Sequence, residues 1–308
     1  MQKVGIIGAG AMGGLFGALL VEAGHDVRLL DISVEHVNNI NQNGLTIESE
    51  SRTRVVPITA TTQPAKMGKV DLAVVFVKSY HTAAAAVAAA AILDKEGCVL
   101  TLQNGMGNAD TIADAVNKKQ VVAGTTSHGA TFLSPGRIRH AGIGPTIVGP
   151  WDSRGSDKAA EIAGMFTRAG IETSAIDDVR RILWEKLLIN VGINAITALT
   201  HIKNGEIIDQ PATMALSRAA VEEAMAVAAT MGIRVREDAV ENVFTVARAT
   251  AANRSSMGQD VDNRRSTEIH AINGAVVVEG GKIGVDTPVN KTLAALVETL
   301  QTHYCSGE

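Results

Sequence analysis

The chain has 308 residues, enough for two domains that each bury a core of their own. Hydrophobic residues make up 46% and charged residues 19%, a globular balance that argues against disorder, and the net charge of −4 gives no reason to expect nucleic acid or an anionic membrane as a partner. The two cysteines, Cys98 and Cys305, imply no disulfide framework and suit a reducing compartment, so we expect a cytoplasmic protein without a signal peptide or a membrane span.

The first half of the chain alternates apolar runs with helical stretches. We predict strands at 3–7, 26–30, 71–77, 98–102 and 120–124, and helices at 14–23 and at the alanine-rich 82–93. Beyond residue 127, short strands at 137–141, 146–148 and 172–176 and a helix at 158–169 are assigned to the far edge of the same sheet. The pattern predicts an α/β domain at residues 1–178 with a Rossmann-type, doubly wound parallel sheet.

The second half is nearly continuous helix. Helical periodicity covers 180–199, 213–231, 237–250, 260–280 and 291–303. We therefore predict an all-helical C-terminal domain at residues 179–308. An apolar helical domain of this kind is compatible with a homodimer but does not require one.

A glycine-rich turn follows the first strand and opens the first helix. Its residues are Gly8-Ala9-Gly10-Ala11-Met12-Gly13, a GxGxxG sequence. In this context the first glycine permits a tight turn, the second lets a pyrophosphate approach the backbone, and the third lets the helix pack close to the sheet. We expect the turn to bind a dinucleotide through Gly8, Gly10, Ala11, Met12 and Gly13; a purely structural turn is the alternative.

Asp31 ends the second predicted strand. An acid there can accept hydrogen bonds from both ribose hydroxyls of NAD(H), and it would repel a 2′-phosphate unless Arg28 or another base swings in. The residue therefore favours NAD(H). A turn or N-cap acid before the next helix is the other interpretation.

Three polar residues interrupt the most apolar helix of the chain. Lys186, Asn190 and Asn194 recur at i, i+4 and i+8, so they line one stripe. Burial lowers the pKa of a lysine toward the range in which it donates a proton near neutral pH. Alternatively Lys186 extends to the surface and the asparagines bridge neighbouring helices.

Further polar residues lie at positions where ligands bind. Lys78 and Asn104 each follow a buried strand, at the carboxyl edge where open α/β sheets bind ligands, although either is also compatible with an ordinary loop. Glu268 enters the apolar part of a predicted helix and is either a site residue or a surface acid paired with Arg264 or Arg265. The histidines and cysteines show no metal-ligand spacing, so we expect no metal.

Several segments in the same order resemble ketopantoate reductase (2-dehydropantoate 2-reductase) over essentially the whole chain. They are GAGAMG, VKSYHT, LQNGMGN, HGATFLSPGRIRHAGIG, WEKLLINVGINAITAL, SSMGQDV, TEIHAINGAVV and GVDTPVN. The resemblance implies reduction of a small 2-keto acid, ketopantoate, to pantoate with NADP(H).

The resemblance also implies individual roles. Lys186 would be the general acid that protonates the carbonyl oxygen, and Glu268 would bind the substrate hydroxyl and hold Lys186. Asn190 and Asn194 would orient the substrate and Ser256 would contact its carboxylate. Lys78 and Asn104 would contact the cofactor near the nicotinamide.

The chain departs from the family pattern at one place. Family members that use NADPH usually carry a basic residue just after the second strand, where this chain has Asp31-Ile32-Ser33. The alternative that follows is an NAD-dependent D-2-hydroxyacid dehydrogenase acting on a bulkier 2-keto acid. A separate alternative, of another class, is a non-catalytic dinucleotide-binding regulator that has kept the fold and lost the chemistry.

Overall fold

The computed structural model describes residues 1–152 and 156–305 and divides into two compact units. The first unit contains Met1–Gln103 and Asn108–Val179, and the second contains Asn104–Gly107 and the chain from Arg180 onward. Cys98 is a buried free thiol. The Cys305 side chain lies outside the described part of the structure.

The first unit is built on an eight-stranded sheet flanked by helices. In chain order its elements are β1 (Lys3–Ile7), α1 (Ala11–Glu22), β2 (Asp26–Leu30), α2 (Val34–Asn43), β3 (Leu45–Glu48), β4 (Thr53–Val56), β5 (Thr59–Thr61), β6 (Val70–Val75), α3 (Thr82–Ile92), β7 (Leu93–Thr101), α4 (Asn108–Ala115), β8 (Val121–Thr126), β9 (Gly129–Ser134), β10 (Arg137–Gly142), β11 (Thr146–Pro150), α5 (Ser156–Arg168) and β12 (Thr173–Ala175).

The strand order of the large sheet is β12-β11-β8-β7-β6-β1-β2-β5. Its pairs are parallel except β11 with β8. The chain starts in the middle of the sheet, at β1. It adds β2 and β5 on one side of β1 and then returns to add β6, β7 and β8 on the other side, which is the doubly wound arrangement. The predicted Rossmann-type fold is confirmed.

A second, four-stranded sheet has the order β4-β3-β10-β9. The prediction that segment 137–141 extends the far edge of the large sheet is therefore wrong, because β10 pairs in parallel with β3, with Ile138 opposite Ile47. Among the described residues of this region, β11 and β12 alone extend the large sheet. Ile47 and Ile138 are fully buried, so hydrophobic burial holds this sheet in place.

The second unit is helical. Its helices are α6 (Val179–Thr200), α7 (Glu206–Asp209), α8 (Pro211–Thr230), α9 (Ala239–Ala249), α10 (Ser256–Asp262), α11 (Asn273–Ile283) and α12 (Pro288–Cys305). The longest, α6, is apolar and long enough to cross a bilayer, with a mean hydropathy of 1.4, but 61% of that window is buried inside the structure. A buried central helix of a globular protein can be equally long and apolar.

The predicted helix 260–280 is wrong. The chain there forms the end of α10, a short 3₁₀ turn at Ile269–Ala271, and α11. Helix α10 stops because Arg264 takes a left-handed backbone conformation with φ of 54°. Glu268 consequently lies in the connection between two helices and not inside one.

Candidate functional site

The three glycines of the turn after β1 meet different surroundings. Gly8 has φ of 92°, and a Cβ on it would lie 2.8 Å from the backbone nitrogen of Val77. A Cβ on Gly13 would lie 1.9 Å from the carbonyl oxygen of Gly8, so only glycine lets α1 pack this close to the turn. A Cβ on Gly10 would meet nothing within 4 Å, so that side of the turn is open to a ligand.

The N-terminus of α1 presents free donors at this open side. Within residues 1–152 and 156–305, the backbone N–H groups of Gly10, Ala11 and Met12 have no hydrogen-bond acceptor. The first turn of α1 contains no acidic side chain that would compete for them. Free N–H groups and the helix dipole together favour an anion, so the turn fits the pyrophosphate of a dinucleotide.

The Asp31 carboxylate bridges the two loops that follow β1 and β2. Its Oδ2 accepts a hydrogen bond from the Ala9 N–H at 2.8 Å, and its Oδ1 accepts one from the Ser33 N–H at 2.9 Å. The N-cap of α2 is Ser33, whose hydroxyl accepts from the N–H of His36 at 3.2 Å, so Asp31 is not the capping residue.

Arg28, the base nearest to Asp31 in the sequence, is held elsewhere. Its guanidinium donates to the carbonyl oxygens of Lys66 at 3.1 Å and Met67 at 3.2 Å. Moving it toward a 2′-phosphate would break both hydrogen bonds. This geometry leaves Asp31 without charge compensation from Arg28.

Lys78 and Asn104 follow β6 and β7, two neighbouring parallel strands, which end one or two residues earlier than predicted. Within the first unit, the side chain of Gln103 ties the two loops together. Its amide nitrogen donates to the carbonyl of Val77 at 2.8 Å and to the hydroxyl of Thr82 at 2.7 Å. Gln103 was not predicted as a site residue, because nothing in the sequence shows that it faces the neighbouring loop.

Helix α6 carries the predicted polar stripe. Asn190 and Asn194 are buried and Lys186 is half-buried. Burial lowers the pKa of the Lys186 ammonium, and no ionised partner opposes that effect. Within the described residues, the ammonium forms no hydrogen bond or ion pair, so its three N–H donors are available to a ligand.

The stripe is continued by α10. The amide of Asn194 lies 3.5 Å from the hydroxyl of Ser256, an exposed residue at the first position of that helix. The preceding Ser255 has a structural role, since its hydroxyl caps α10 by accepting from the Gly258 N–H at 2.9 Å. The amide nitrogen of Asn190 is buried and has no acceptor within the described part of the chain. The second unit thus gathers an ammonium, two amides and a hydroxyl on one face.

Glu268 is 6% exposed, so it is not a surface acid. It immediately precedes the 3₁₀ turn, whose last residue, Ala271, donates its N–H to the Glu268 carbonyl at 3.0 Å.

In the part of the chain that the structure describes, no group of three His, Cys, Asp or Glu residues is placed to hold a metal ion. His128 and His140 pair with each other, Nδ1 to Nε2, at 3.3 Å.

Comparison with known proteins identifies relatives over the full length. The family described as ketopantoate reductase PanE/ApbA matches residues 4–153, and its C-terminal counterpart matches residues 178–301. A 2-dehydropantoate 2-reductase of Halobacterium salinarum is 39% identical over 301 residues, covering 97% of this chain and 99% of the relative. One of Archaeoglobus fulgidus is 37% identical over 304 residues, covering 98% and 99%.

Solved structures of two differently named enzymes share the fold over essentially the whole chain. A PanE/ApbA family ketopantoate reductase from Ralstonia eutropha JMP134 superimposes with a TM-score of 0.91 at 33% identity, covering 99% of this chain and 100% of that one. D-mandelate dehydrogenase with NADH and anilino(oxo)acetate superimposes with a TM-score of 0.93 at 26% identity and the same coverage.

Proposed function

Because this chain belongs to the ketopantoate reductase family, we propose that it reduces 2-dehydropantoate (ketopantoate) to pantoate. A bound nicotinamide dinucleotide supplies the hydride to the keto carbon. The observation that carries the proposal is the stripe of Lys186, Asn190 and Asn194 on α6, because a half-buried ammonium without an ion-pair partner fits a proton donor.

We assign cofactor binding to residues 1–178 and substrate binding to residues 179–308. In the first of these domains the turn residues Gly8, Gly10, Ala11, Met12 and Gly13 hold the pyrophosphate. The open side at Gly10 and the free N–H groups support this assignment. The loop residues Lys78 and Asn104 contact the cofactor near its nicotinamide.

The proton step belongs to Lys186. As the hydride reaches the keto carbon, the electron pair of the C=O double bond moves to the oxygen, which takes a proton from the Lys186 ammonium. The cation also stabilises the negative charge that develops on that oxygen. Lys186 then regains a proton from solvent. Glu268 binds the substrate hydroxyl, and it would hold Lys186 only through the bound substrate, because none of the described residues forms an ion pair with the ammonium.

The remaining polar groups of the second unit bind and orient the substrate. Asn190 and Asn194 donate hydrogen bonds from their amides, and Ser256 binds the substrate carboxylate. The 3.5 Å approach of Asn194 to Ser256 and the acceptor-free amide nitrogen of Asn190 support these roles.

Asp31 sets the cofactor preference, and NADH is the preferred form. A 2′-phosphate at the end of β2 would face the Asp31 carboxylate, and Arg28 is held by two carbonyl groups. The same carboxylate accepts from the two ribose hydroxyls of NADH while it keeps its hydrogen bonds to Ala9 and Ser33.

Steady-state kinetics test the whole proposal. NADH and NADPH are each assayed with ketopantoate and with benzoylformate, a bulkier aromatic 2-keto acid. We expect fast ketopantoate reduction with NADH, and kcat/KM with NADPH at least about tenfold lower. Fast reduction of benzoylformate beside slow reduction of ketopantoate would overturn the substrate assignment, and turnover of neither acid would overturn the enzymatic one.

We also propose that the enzyme works in the cytoplasm, and its surface is compatible with a homodimer without requiring one. The free thiol of Cys98 suits a reducing compartment. On the neighbouring helices α11 and α12, Val278 and Leu296 are exposed apolar residues that a second copy would cover. Light scattering of the purified enzyme measures the oligomeric state.

A further inference from the structure

His36 is a fully buried histidine on α2 for which the sequence predicts no role. Its Nε2 lies 2.9 Å from the carbonyl oxygen of Ala9, in the phosphate-binding turn. Its Nδ1 accepts a hydrogen bond from the backbone N–H of Gly136, between β9 and β10, at 2.9 Å. The ring packs against Phe132, with 5.1 Å between centroids. One side chain thus joins three segments of the first unit.

The two partners determine the protonation of the ring. The Gly136 N–H can only donate, so Nδ1 must carry a lone pair. The Ala9 carbonyl can only accept, so Nε2 must carry the proton. These two partners place the ring proton on Nε2, directed at Ala9.

This hydrogen bond fixes the orientation of one peptide group. In a trans peptide the C=O of Ala9 and the N–H of Gly10 point in opposite directions. With the carbonyl held by His36, the Gly10 N–H points away from the ring. Asp31 holds the N–H of Ala9 at 2.8 Å, so Ala9 is hydrogen-bonded on both of its backbone groups.

We propose that His36 is a positioning residue for the cofactor: by donating from Nε2 to Ala9, it holds the Ala9–Gly10 peptide so that the Gly10 N–H faces the pyrophosphate. The proposal rests on the dinucleotide-binding role given above to this turn. Without this hydrogen bond the Ala9–Gly10 peptide can rotate, so the cofactor must order it on binding. The free energy needed for that ordering lowers the affinity for the cofactor.

Two variants separate the two hydrogen bonds of the ring. Asparagine places a carbonyl oxygen near the position of Nδ1, so His36→Asn keeps the acceptor for Gly136 and loses the donor to Ala9. Glutamine places an amide nitrogen near the position of Nε2, so His36→Gln keeps the donor to Ala9. Phe132→Leu is the matched control, since it alters packing on the same ring and leaves both hydrogen bonds.

The readout is the Kd of NADH, measured by fluorescence titration without substrate. We expect His36→Asn to weaken NADH binding about tenfold and His36→Gln to stay within about threefold of the unmodified enzyme. In turnover, His36→Asn should raise the KM of the cofactor, with kcat and the KM of the keto acid unchanged. Equal weakening in both variants, or in neither, overturns the proposal. If the unmodified enzyme binds no dinucleotide, the proposed function fails instead.

A measurement on the unmodified enzyme keeps the proposal testable even if both variants misfold. Histidine labelled with ¹⁵N shows by NMR which ring nitrogen carries the proton. We expect His36 to be protonated at Nε2 alone and its Nε2 signal to shift when NADH binds. A proton at Nδ1, or a signal unchanged at saturating NADH, contradicts the proposed role.

Discussion

Lys186→Met removes the ammonium from the stripe on α6 and keeps a side chain of similar length. Asn190, Asn194 and Ser256 remain, so substrate binding is retained while the proton donor is lost. We expect kcat to fall about 10²- to 10⁴-fold, the contribution usual for a general acid, and the Kd of NADH to change less than about threefold. Activity is measured with ketopantoate and NADH, and cofactor affinity by fluorescence titration.

The pH dependence gives a second readout. The acid works only while protonated, and burial holds the pKa of Lys186 below its ordinary value of 10.5. We therefore expect kcat/KM of the unmodified enzyme to fall with rising pH below pH 10.5. The residual activity of Lys186→Met should lack that fall.

Stability should change in the opposite direction to activity. Below its folded pKa, Lys186 keeps a half-buried charge without an ion-pair partner, so replacing it by methionine should raise the Tm at pH 7. At pH values between the lowered pKa of Lys186 in the folded state and 10.5, the unfolded state binds more protons than the folded state. The stability of the unmodified enzyme therefore rises with pH in that window, and its deficit relative to the variant shrinks.

Lys203→Met is the matched control, because Lys203 lies in the same unit but is exposed. It should leave kcat, the pH profile and the Tm nearly unchanged. The assignment of Lys186 is refuted if Lys186→Met retains kcat within about fivefold, or if Lys203→Met loses as much activity.

Two further pairs of substitutions contrast neighbouring positions. Gly13→Ala places a methyl group against the Gly8 carbonyl and should lower both the Tm and the affinity for NADH. Gly10→Ala places its methyl group in open space, so it should keep the Tm and weaken NADH binding alone. If melting curves and NADH titrations do not distinguish the two variants, the roles given to these glycines are contradicted. Ser255→Ala removes the cap of α10 and should cost about 1 kcal/mol of stability. Ser256→Ala should instead raise the KM of ketopantoate without lowering the Tm, and an unchanged KM would remove Ser256 from the substrate site.

The strands of the large sheet other than β5 were predictable because their signal is local. The bounds of β1 and β2 coincide with the apolar runs that predicted them. The four-stranded sheet was missed because its strands are short and its central pair, β3 with β10, joins residues about 90 positions apart. No periodicity within either segment reveals such a partner.

The false helix at 260–280 has a similar cause. Apolar residues recur at Ile269, Ala271, Ile272 and 275–278, so the periodicity favours helix. The break depends on Arg264 in a left-handed conformation and on Thr267, whose N–H donates to Gln301 at 3.0 Å. A contact with a helix more than 30 residues later overrides the local preference.

The candidate site was predictable where one element carries it. The i, i+4, i+8 spacing on α6 placed Lys186, Asn190 and Asn194 on one face, and the structure brings Ser256 beside Asn194. His36 was not predictable, because its partners lie 27 and 100 residues away. Which backbone groups a buried histidine contacts depends on the assembled fold.

Helix α6 has a consequence for the newly made chain. As it leaves the ribosome, its apolar window is long enough to be tested for insertion by the translocon. Lys186 is the eighth of the 22 residues of α6, and a lysine inside such a segment opposes insertion, by about 2.5–3.5 kcal/mol where it lies at the centre. The residues that we assign to proton transfer and substrate binding therefore also bias the nascent polypeptide toward folding in water rather than partitioning into lipid.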